Sequence, residues 1–205
     1  LHPRVRRQRQ MCIRDRASGW RYDFPWIETV TLTEDEGWGK NPTYLHYGSA
    51  RVIYIETEAD DATKTYSIKG LEGYDYDDIK LEDWDKTVDG IACKYLLRDK
   101  TGLRTYFNED GVIVLQKDAH DNTITFAYTD GIYFSKITDS VGREIVFRYS
   151  GEGDEKAVAS VTVQGKNVAG GVSSKTITYE TEEKSYTPHH GDRLNGVILT
   201  SATVD

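Results

Sequence analysis

Alternation of polar and apolar residues with a period of two is the clearest pattern in the middle of the chain. Ile124, Phe126 and Tyr128 fall on one face of an extended segment, because successive side chains of a strand point to opposite sides of its sheet. Asp130 and Gly131 follow shortly after. An Asp-Gly pair readily adopts the positive φ angles that a tight hairpin turn needs. The pattern therefore predicts two antiparallel strands joined by a turn.

This hairpin pattern recurs at a fixed spacing. Phe107, Tyr128 and Tyr149 each precede a turn and stand 21 residues apart. Tyr179 holds the same place in a fourth unit, after a further 30 residues. A polar corner starts the next unit and contains Asp118, Asp121, Asp139 or Gly142. Equivalent side chains of successive units are expected to form ladders across one sheet. The residues to which we assign this structural role are Phe107, Gly111, Phe126, Tyr128, Gly131, Gly142, Phe147, Tyr149 and Tyr179.

The chain before residue 100 also predicts short strands, but without a clean period. The candidate strands are residues 29–33, 43–46, 51–57, 65–68 and 93–98. The polar, acidic residues 76–86 are predicted to form a loop, with one short helix as the alternative. Residues 165–174 and 181–192 are predicted to be loops or hairpin tips.

We therefore predict an all-β fold of repetitive antiparallel β-hairpins that form part of a large spiralling sheet. Residues 17–100 are expected to be a β-rich segment before the repeats, and residues 101–205 to be the repeats. The composition agrees, because 14 Tyr and 18 Gly with one Met in 205 residues favour strands and turns over helices. No run of 18 apolar residues occurs, so no transmembrane segment is predicted.

Charge is unevenly spread along the chain. Six Arg fall within residues 1–16, whereas the whole chain has a net charge of −8. A basic arm of this kind can bind nucleic acid, but its string MCIRDR resembles a translated sequencing-adaptor sequence. We interpret residues 1–16 as an artefact or a disordered arm. The acidic remainder argues against a nucleic-acid partner, because phosphate binding needs clustered Lys and Arg.

Two stretches carry a family resemblance. The sequence YFNEDGVIVLQKDAHDNTITFAYTDGIYFSKITDSVGREIVFRY, residues 106–149, resembles the YD repeat of Rhs proteins and toxin-complex C components. GWRYDFPWIETV and YLHYGSARVIYIE resemble the segment before the repeats in Rhs and wall-associated proteins. The resemblance covers residues 19–164 well and residues 165–205 loosely.

The resemblance implies a hollow shell that encloses or displays a C-terminal toxin or effector domain, in a secreted or cell-surface bacterial protein. The closing, self-cleaving segment and the toxin of that family are not in this sequence. The chain is thus expected to be a non-catalytic fragment whose partner is the remainder of the same polypeptide. The alternative is a cell-wall-associated adhesin or carbohydrate-binding module, whose partner would be cell-wall polysaccharide.

Candidate chemistry is sparse, and we predict no catalytic site, metal or cofactor. The sequence His189-His190-Gly191-Asp192 has metal-ligand side chains, but neighbours in an extended chain point apart, so a solvated loop is favoured. The acidic run of Asp75, Asp77 and Asp78, with Glu72 nearby, has oxygen ligands that could bind Ca²⁺. The run lacks the spacing of a calcium loop, which favours a charged surface or a role in protecting a strand edge.

Aromatic and sulfur-containing residues give the remaining candidates. Cys93 is the one cysteine outside the arm and is expected to be buried and apolar. Both edges of the isolated sheet are expected to be exposed, so that residues 17–205 alone express poorly or self-associate. Six aromatic residues near the start of the chain could form a glycan-stacking surface. Packing in the sheet is the more common role of strand aromatics and is favoured here. These residues are Trp20, Tyr22, Phe24, Trp26, Tyr44 and Tyr47.

Overall fold

The computed structural model contains sixteen β-strands and no helix within the residues it describes, which confirms the all-β prediction. It describes residues 15–17, 20–21, 23–29, 43–47, 52–55, 62, 64–66, 68–69, 78–131, 133–152, 156–166, 170–186 and 194–205. The strands are β1 (Asp15–Ala17), β2 (Trp20–Arg21), β3 (Trp26–Thr29), β4 (Thr43–His46), β5 (Val52–Ile55), β6 (Ile68–Lys69), β7 (Ile79–Val88), β8 (Ile91–Asp99), β9 (Arg104–Phe107), β10 (Ile113–Lys117), β11 (Thr123–Thr129), β12 (Tyr133–Asp139), β13 (Glu144–Ser150), β14 (Ala157–Lys166), β15 (Val172–Tyr186) and β16 (Leu194–Val204).

The strands form three sheets in which chain neighbours are also sheet neighbours. One sheet has ten strands in the order β7 to β16, one has four strands in the order β3 to β6, and one has two strands, β1 and β2. Every described strand pairing is antiparallel. The predicted hairpin units therefore lie in one open antiparallel sheet. By its contacts the chain divides into two units, residues 23–125, and residues 126–205 with 1–22.

The unit of residues 23–125 has a dense apolar core. Its four-stranded sheet buries Ile27, Leu45 and Ile55. Strands β7 to β10 of the ten-stranded sheet bury further large side chains of the same unit, among them Leu81, Leu96, Phe107, Ile113 and Leu115. Burial of this apolar area is the main favourable contribution to folding.

One close backbone approach joins β3 to the turn before β10. The Ile27 amide donates a hydrogen bond of 2.9 Å to the Gly111 carbonyl. Gly111 has a φ of +73°, and a Cβ atom there would lie 2.2 Å from the Ile27 carbonyl oxygen. Glycine at this position therefore serves both the turn and the contact, and only the turn was predicted from the sequence.

The unit of residues 126–205 with 1–22 is organised around an aromatic ladder. The Phe126 and Phe147 rings, which the repeat made equivalent, each lie 5.9 Å from the ring of Phe134. Because β12 lies between β11 and β13, the predicted ladder passes through a residue of the intervening strand. The Tyr149 hydroxyl donates a hydrogen bond of 2.9 Å to the Phe134 carbonyl and anchors the same ladder.

Two loop predictions were wrong within the described residues, at 79–86 and at 181–186. Residues 79–88 form β7 because Leu81 is buried and pairs with Leu97, although charged neighbours conceal the alternation. The hairpin tip predicted at 165–174 is confirmed, because β14 and β15 pair antiparallel up to Lys166 opposite Val172, although both strands extend a little further into this range than predicted. Residues 181–186 continue β15, because β16 supplies backbone partners along that whole length.

Candidate functional site

Three connections of the ten-stranded sheet share one hydrogen-bonding pattern built on an aspartate. They join β8 to β9, β10 to β11 and β12 to β13, and they begin at Asp99, Asp118 and Asp139. In each, the aspartate Oδ1 accepts hydrogen bonds of 2.8 to 3.0 Å from the backbone N–H groups two and four residues later. We call these three turns the Asp corners.

The backbone of each Asp corner follows the same path. The fourth residue has a positive φ and donates its N–H to the carbonyl of the aspartate, with N···O distances of 3.0 to 3.3 Å. This is the three-residue hairpin loop in which a left-handed residue closes a type I turn. Glycine or a short polar residue fits that position. The left-handed residues are Gly102, Asp121 and Gly142.

The hydrogen bonds of two Asp corners, those at Asp118 and Asp139, favour ionised carboxylates. The side-chain amide of Asn122 donates to Asp118 at 2.8 Å, and this bond, with two backbone N–H groups, holds the pKa of Asp118 below its ordinary value. The backbone N–H of Arg143, then its guanidinium, does the same for the pKa of Asp139. These two corners are thus held by charge-assisted bonds internal to the turn.

Sequence reasoning found two of the Asp corners and missed the first. It placed polar corners at Asp118 and Asp139 from the repeat of aromatics. The corner at Asp99 lies upstream of that aromatic series, in a region without a clean period. The sequence feature that could have identified this corner is the motif Asp-Lys-Thr-Gly. Its glycine follows the aspartate by three residues, as Gly142 follows Asp139.

Acidic turn residues are paired with cations. Arg104 contacts Asp121 at 2.6 Å, Lys117 contacts Asp89 at 2.6 Å, and Lys100 contacts Asp78 at 2.5 Å. Within the described residues no group of three His, Cys, Asp or Glu side chains could hold a metal ion. Asp75, Asp77 and the His189–His190 pair lie outside the described residues, as does Glu72.

The repeat residues predicted from sequence fall into three groups: buried phenylalanines, turn glycines and half-buried tyrosines. Phe107 is fully buried, and Phe126 and Phe147 are buried. The predicted turn glycines Gly111, Gly131 and Gly142 all have positive φ. The tyrosines of the series are half-buried, at positions Tyr128, Tyr149 and Tyr179.

A second cluster lies on the side of β3 and β4 opposite the core. Antiparallel pairing sets Trp26 opposite His46 and Glu28 opposite Tyr44. The Trp26 and His46 rings stack with centroids 3.5 Å apart and an interplanar angle of 3°. His46 Nε2 lies 2.8 Å from Glu28 Oε2, and Glu28 is only 7% exposed. The histidine satisfies a carboxylate that would be costly to bury alone.

This Trp–His–Glu cluster contains part of the predicted aromatic surface. Trp26 and Tyr44 share one sheet face, and both are half-buried. Trp20 lies on β2 in the other unit, and Tyr22 lies outside the described residues. Phe24 and Tyr47 flank the cluster's strands and are half-buried. The other two cluster members, Glu28 and His46, were not predicted. The sequence feature that could have identified them is that each is next to a buried residue in a four-residue strand, which places it on the opposite face of the sheet.

A groove of about 420 Å³ lies beside Cys93 in the unit of residues 23–125. Cys93 is buried, as predicted, and its thiol donates a hydrogen bond of 3.3 Å to the Ile91 carbonyl. Burial raises the pKa of this thiol, so the reactive thiolate is disfavoured. The groove is lined by Asp85, Lys86, Thr87, Ala92, Cys93, Lys94, Asn108, Glu109 and Asp110.

A search for membrane spans and three comparisons with known proteins complete the description. Across the part of the chain that the structure describes, no helix has the length and apolar character to cross a membrane. Searches against protein-family models, curated proteins and solved structures found no match.

Proposed function

We propose that this chain is a non-catalytic wall segment of a secreted or cell-surface Rhs/YD-repeat protein, in which it helps to enclose or display a C-terminal toxin or effector domain. The observation that carries the proposal is the threefold recurrence of the Asp corner within one antiparallel sheet. The sequence resemblance supplies the family, and the corners supply a physical reason why such a sheet can be extended.

The corner is a self-contained connector. Its carboxylate satisfies two backbone N–H groups within the turn, so it needs no ligand or partner to hold its shape. A sheet built from such connectors grows by adding hairpins, each stabilised mainly by its neighbours. That property suits a wall that encloses a volume.

Two reactive groups among the described residues, Cys93 and His46, favour a structural role over catalysis. A catalyst needs a nucleophile or base, an orienting partner and a pocket. The Cys93 thiol beside the groove is buried and has a raised pKa. The His46 imidazole is stacked on Trp26 and bound to Glu28, away from that groove's lining.

Sequencing the gene on both sides of this segment tests the family assignment. We expect further repeats with Asp corners, then a closing segment and a variable terminal domain. A reading frame that stops soon after residue 205, with no repeats upstream, would contradict the proposal.

Duplication of one unit tests the wall property in the protein itself. A second copy of residues 119–139, inserted after Asp139, should add one hairpin and keep cooperative unfolding with more strand signal in circular dichroism. The matched control copies residues 119–138, which omits the corner aspartate and shifts the alternation by one residue. Equal loss of folding in both variants would argue against an extendable array.

The Trp–His–Glu cluster favours the second candidate, a cell-wall-associated carbohydrate-binding module. Aromatic rings beside a carboxylate and an imidazole can stack on sugar rings and bind their hydroxyl groups. On a polysaccharide array, binding that is lost in Trp26→Ala and kept in Trp84→Ala would support this candidate. The absence of binding to every polysaccharide would exclude it.

A further inference from the structure

The tip of the β7–β8 hairpin extends past the end of the next strand in the sheet. β9 pairs with β8 at residues 95–98, whereas β7 pairs with β8 as far as Val88 opposite Ile91. The turn that joins them is Asp89-Gly90, with φ angles of +51° and +82°. These angles suit a two-residue hairpin loop. The tip of this hairpin therefore lies beyond β9.

One ion pair shows that this tip folds back over the sheet. Arg98, Arg104 and Lys117 are opposite one another on β8, β9 and β10. Asp89 lies beyond Ile91, which precedes Arg98 by seven residues. Seven residues of extended strand span about 23 Å, which a lysine side chain cannot bridge. Because Lys117 Nζ nevertheless lies 2.6 Å from Asp89 Oδ2, the hairpin must fold back over the sheet face.

An irregularity in β7 provides the bend. The register with β8 shifts between Asp83 and Lys86, and Asp85 within this step has a φ of +45°. Bulges of this kind bend a strand where they occur. Lys86 Nζ lies 4.5 Å from the centre of the Trp84 ring, so the residues on the two sides of the bend are in contact. We call residues 86–93, beyond the bend, the flap.

The flap lies on a sheet face with large buried side chains. Leu96, Tyr106 and Leu115 are opposite one another on β8, β9 and β10, so they share one face. Lys117 is on the same face, because it follows Leu115 by two residues. Leu96 and Leu115 are fully buried and Tyr106 is buried, as is Cys93 of the flap itself. The ion pair to Lys117 therefore holds the flap over an apolar surface.

Two features of this closed arrangement favour opening. A groove of about 420 Å³ lies between the flap and the turn at residues 108–110, so this side of the flap is loosely packed. At the bend, the indole N–H of Trp84 is buried and has no hydrogen-bond partner among the described residues. A buried, unpaired donor costs free energy that hydration recovers when the flap opens.

We propose that the flap opens and closes by bending at Trp84 and Asp85, and that the ion pair between Lys117 and Asp89 is the latch that holds it closed. The Lys117 side chain is only 14% exposed, so solvent ions screen its attraction to Asp89 little. Opening breaks this pair and exposes Cys93, while the pairing of β8 with β9 persists. The flap depends on the fold of residues 23–125 and not on the wall function.

Labelling of the Cys93 thiol by an excess of a maleimide measures flap opening in the full chain. Cys12→Ser removes the other cysteine, and the remaining rate reports the population of the open state. Asp89→Asn removes the latch charge but suits the positive φ of the turn, and it should raise the labelling rate about tenfold. The matched control Asp78→Asn, which breaks the exposed ion pair with Lys100, should leave the rate unchanged.

Two further measurements separate flap opening from global unfolding. The labelling rate should depend only weakly on urea below the unfolding transition, because opening exposes little surface. Ile55→Val removes a methylene group from the core on β5 and should lower the urea midpoint measured by circular dichroism. It should leave the Cys93 labelling rate unchanged, because β5 is not part of the flap.

Four results would overturn the flap. The first is a Cys93 that reacts only within the unfolding transition, and the second is an Asp89→Asn variant that labels as slowly as its parent. The third is equal acceleration by Asp78→Asn, which would remove the special role of the Lys117 pair. The fourth is equal acceleration by Ile55→Val, which would show that labelling proceeds through global unfolding.

Discussion

The two units of the chain are built from the same kind of β-hairpin but differ in how many large side chains they bury. Among the described residues, the eight largest fully buried side chains divide unequally, with seven in residues 23–125 and Val158 in the other unit. In residues 23–125 a second sheet contributes Leu45 and Ile55 to the core. In the other unit, most side chains described in β15 are exposed.

This difference shows that hairpin connectors alone do not make a core. The Asp corners are alike in both units, with the same hydrogen bonds at Asp118 and at Asp139. What differs is the presence of β3 to β6 within the unit of residues 23–125. Stability is therefore expected to be concentrated there, and the later hairpins to depend on their neighbours.

Truncation of a core aromatic should lower the free energy of unfolding by different amounts in the two units. Phe107→Ala is expected to cost about 4 kcal/mol, because the ring is fully buried and leaves a cavity. Phe147→Ala should cost about 3 kcal/mol, the lower end of the usual range, because its ring is 8% exposed. Urea denaturation followed by tryptophan fluorescence measures both values. Equal costs would show that the two cores are equally dense.

The turn glycines give a second matched pair. Gly111→Ala is expected to destabilise by about 3 kcal/mol, because its Cβ would collide with the Ile27 carbonyl in addition to the cost of a positive φ. Gly131→Ala has open space around its Cβ and should cost about 1 kcal/mol, from φ alone. Chemical denaturation of both variants checks the difference. A Gly111→Ala cost no larger than that of Gly131→Ala would contradict the close approach to β3.

The Asp corners should make stability depend on acid. The folded-state pKa values of Asp118 and Asp139 are lowered from 3.8, so their stabilisation is fully present above that pH and is lost as the pH falls through the folded values. Thermal unfolding between neutral pH and pH 2 should show the loss. The double variant Asp118→Asn, Asp139→Asn keeps an acceptor oxygen and should flatten this dependence; an unchanged acid profile would exclude the corners as its source.

The sequence predicted the hairpins from side-chain alternation and the turns from Asp-Gly pairs, because both signals are local. Phe134 was not predicted to belong to the ladder, because the repeat is aligned on the first strand of each hairpin unit. Phe134 lies on β12, the second strand of its unit. β7 escaped because its irregularity near Asp85 interrupts the alternation. The pairing of Glu28 with His46 depends on strand register, which four-residue strands are too short to specify.

The most direct test of the account is native-state hydrogen exchange on the full chain at a concentration where it is monomeric. The account predicts slow, globally limited exchange in β4, β9 and β10, and faster exchange through local opening in β15 and β16. Uniform protection along the whole ten-stranded sheet, or greater protection in β15 and β16 than in β9 and β10, would contradict it.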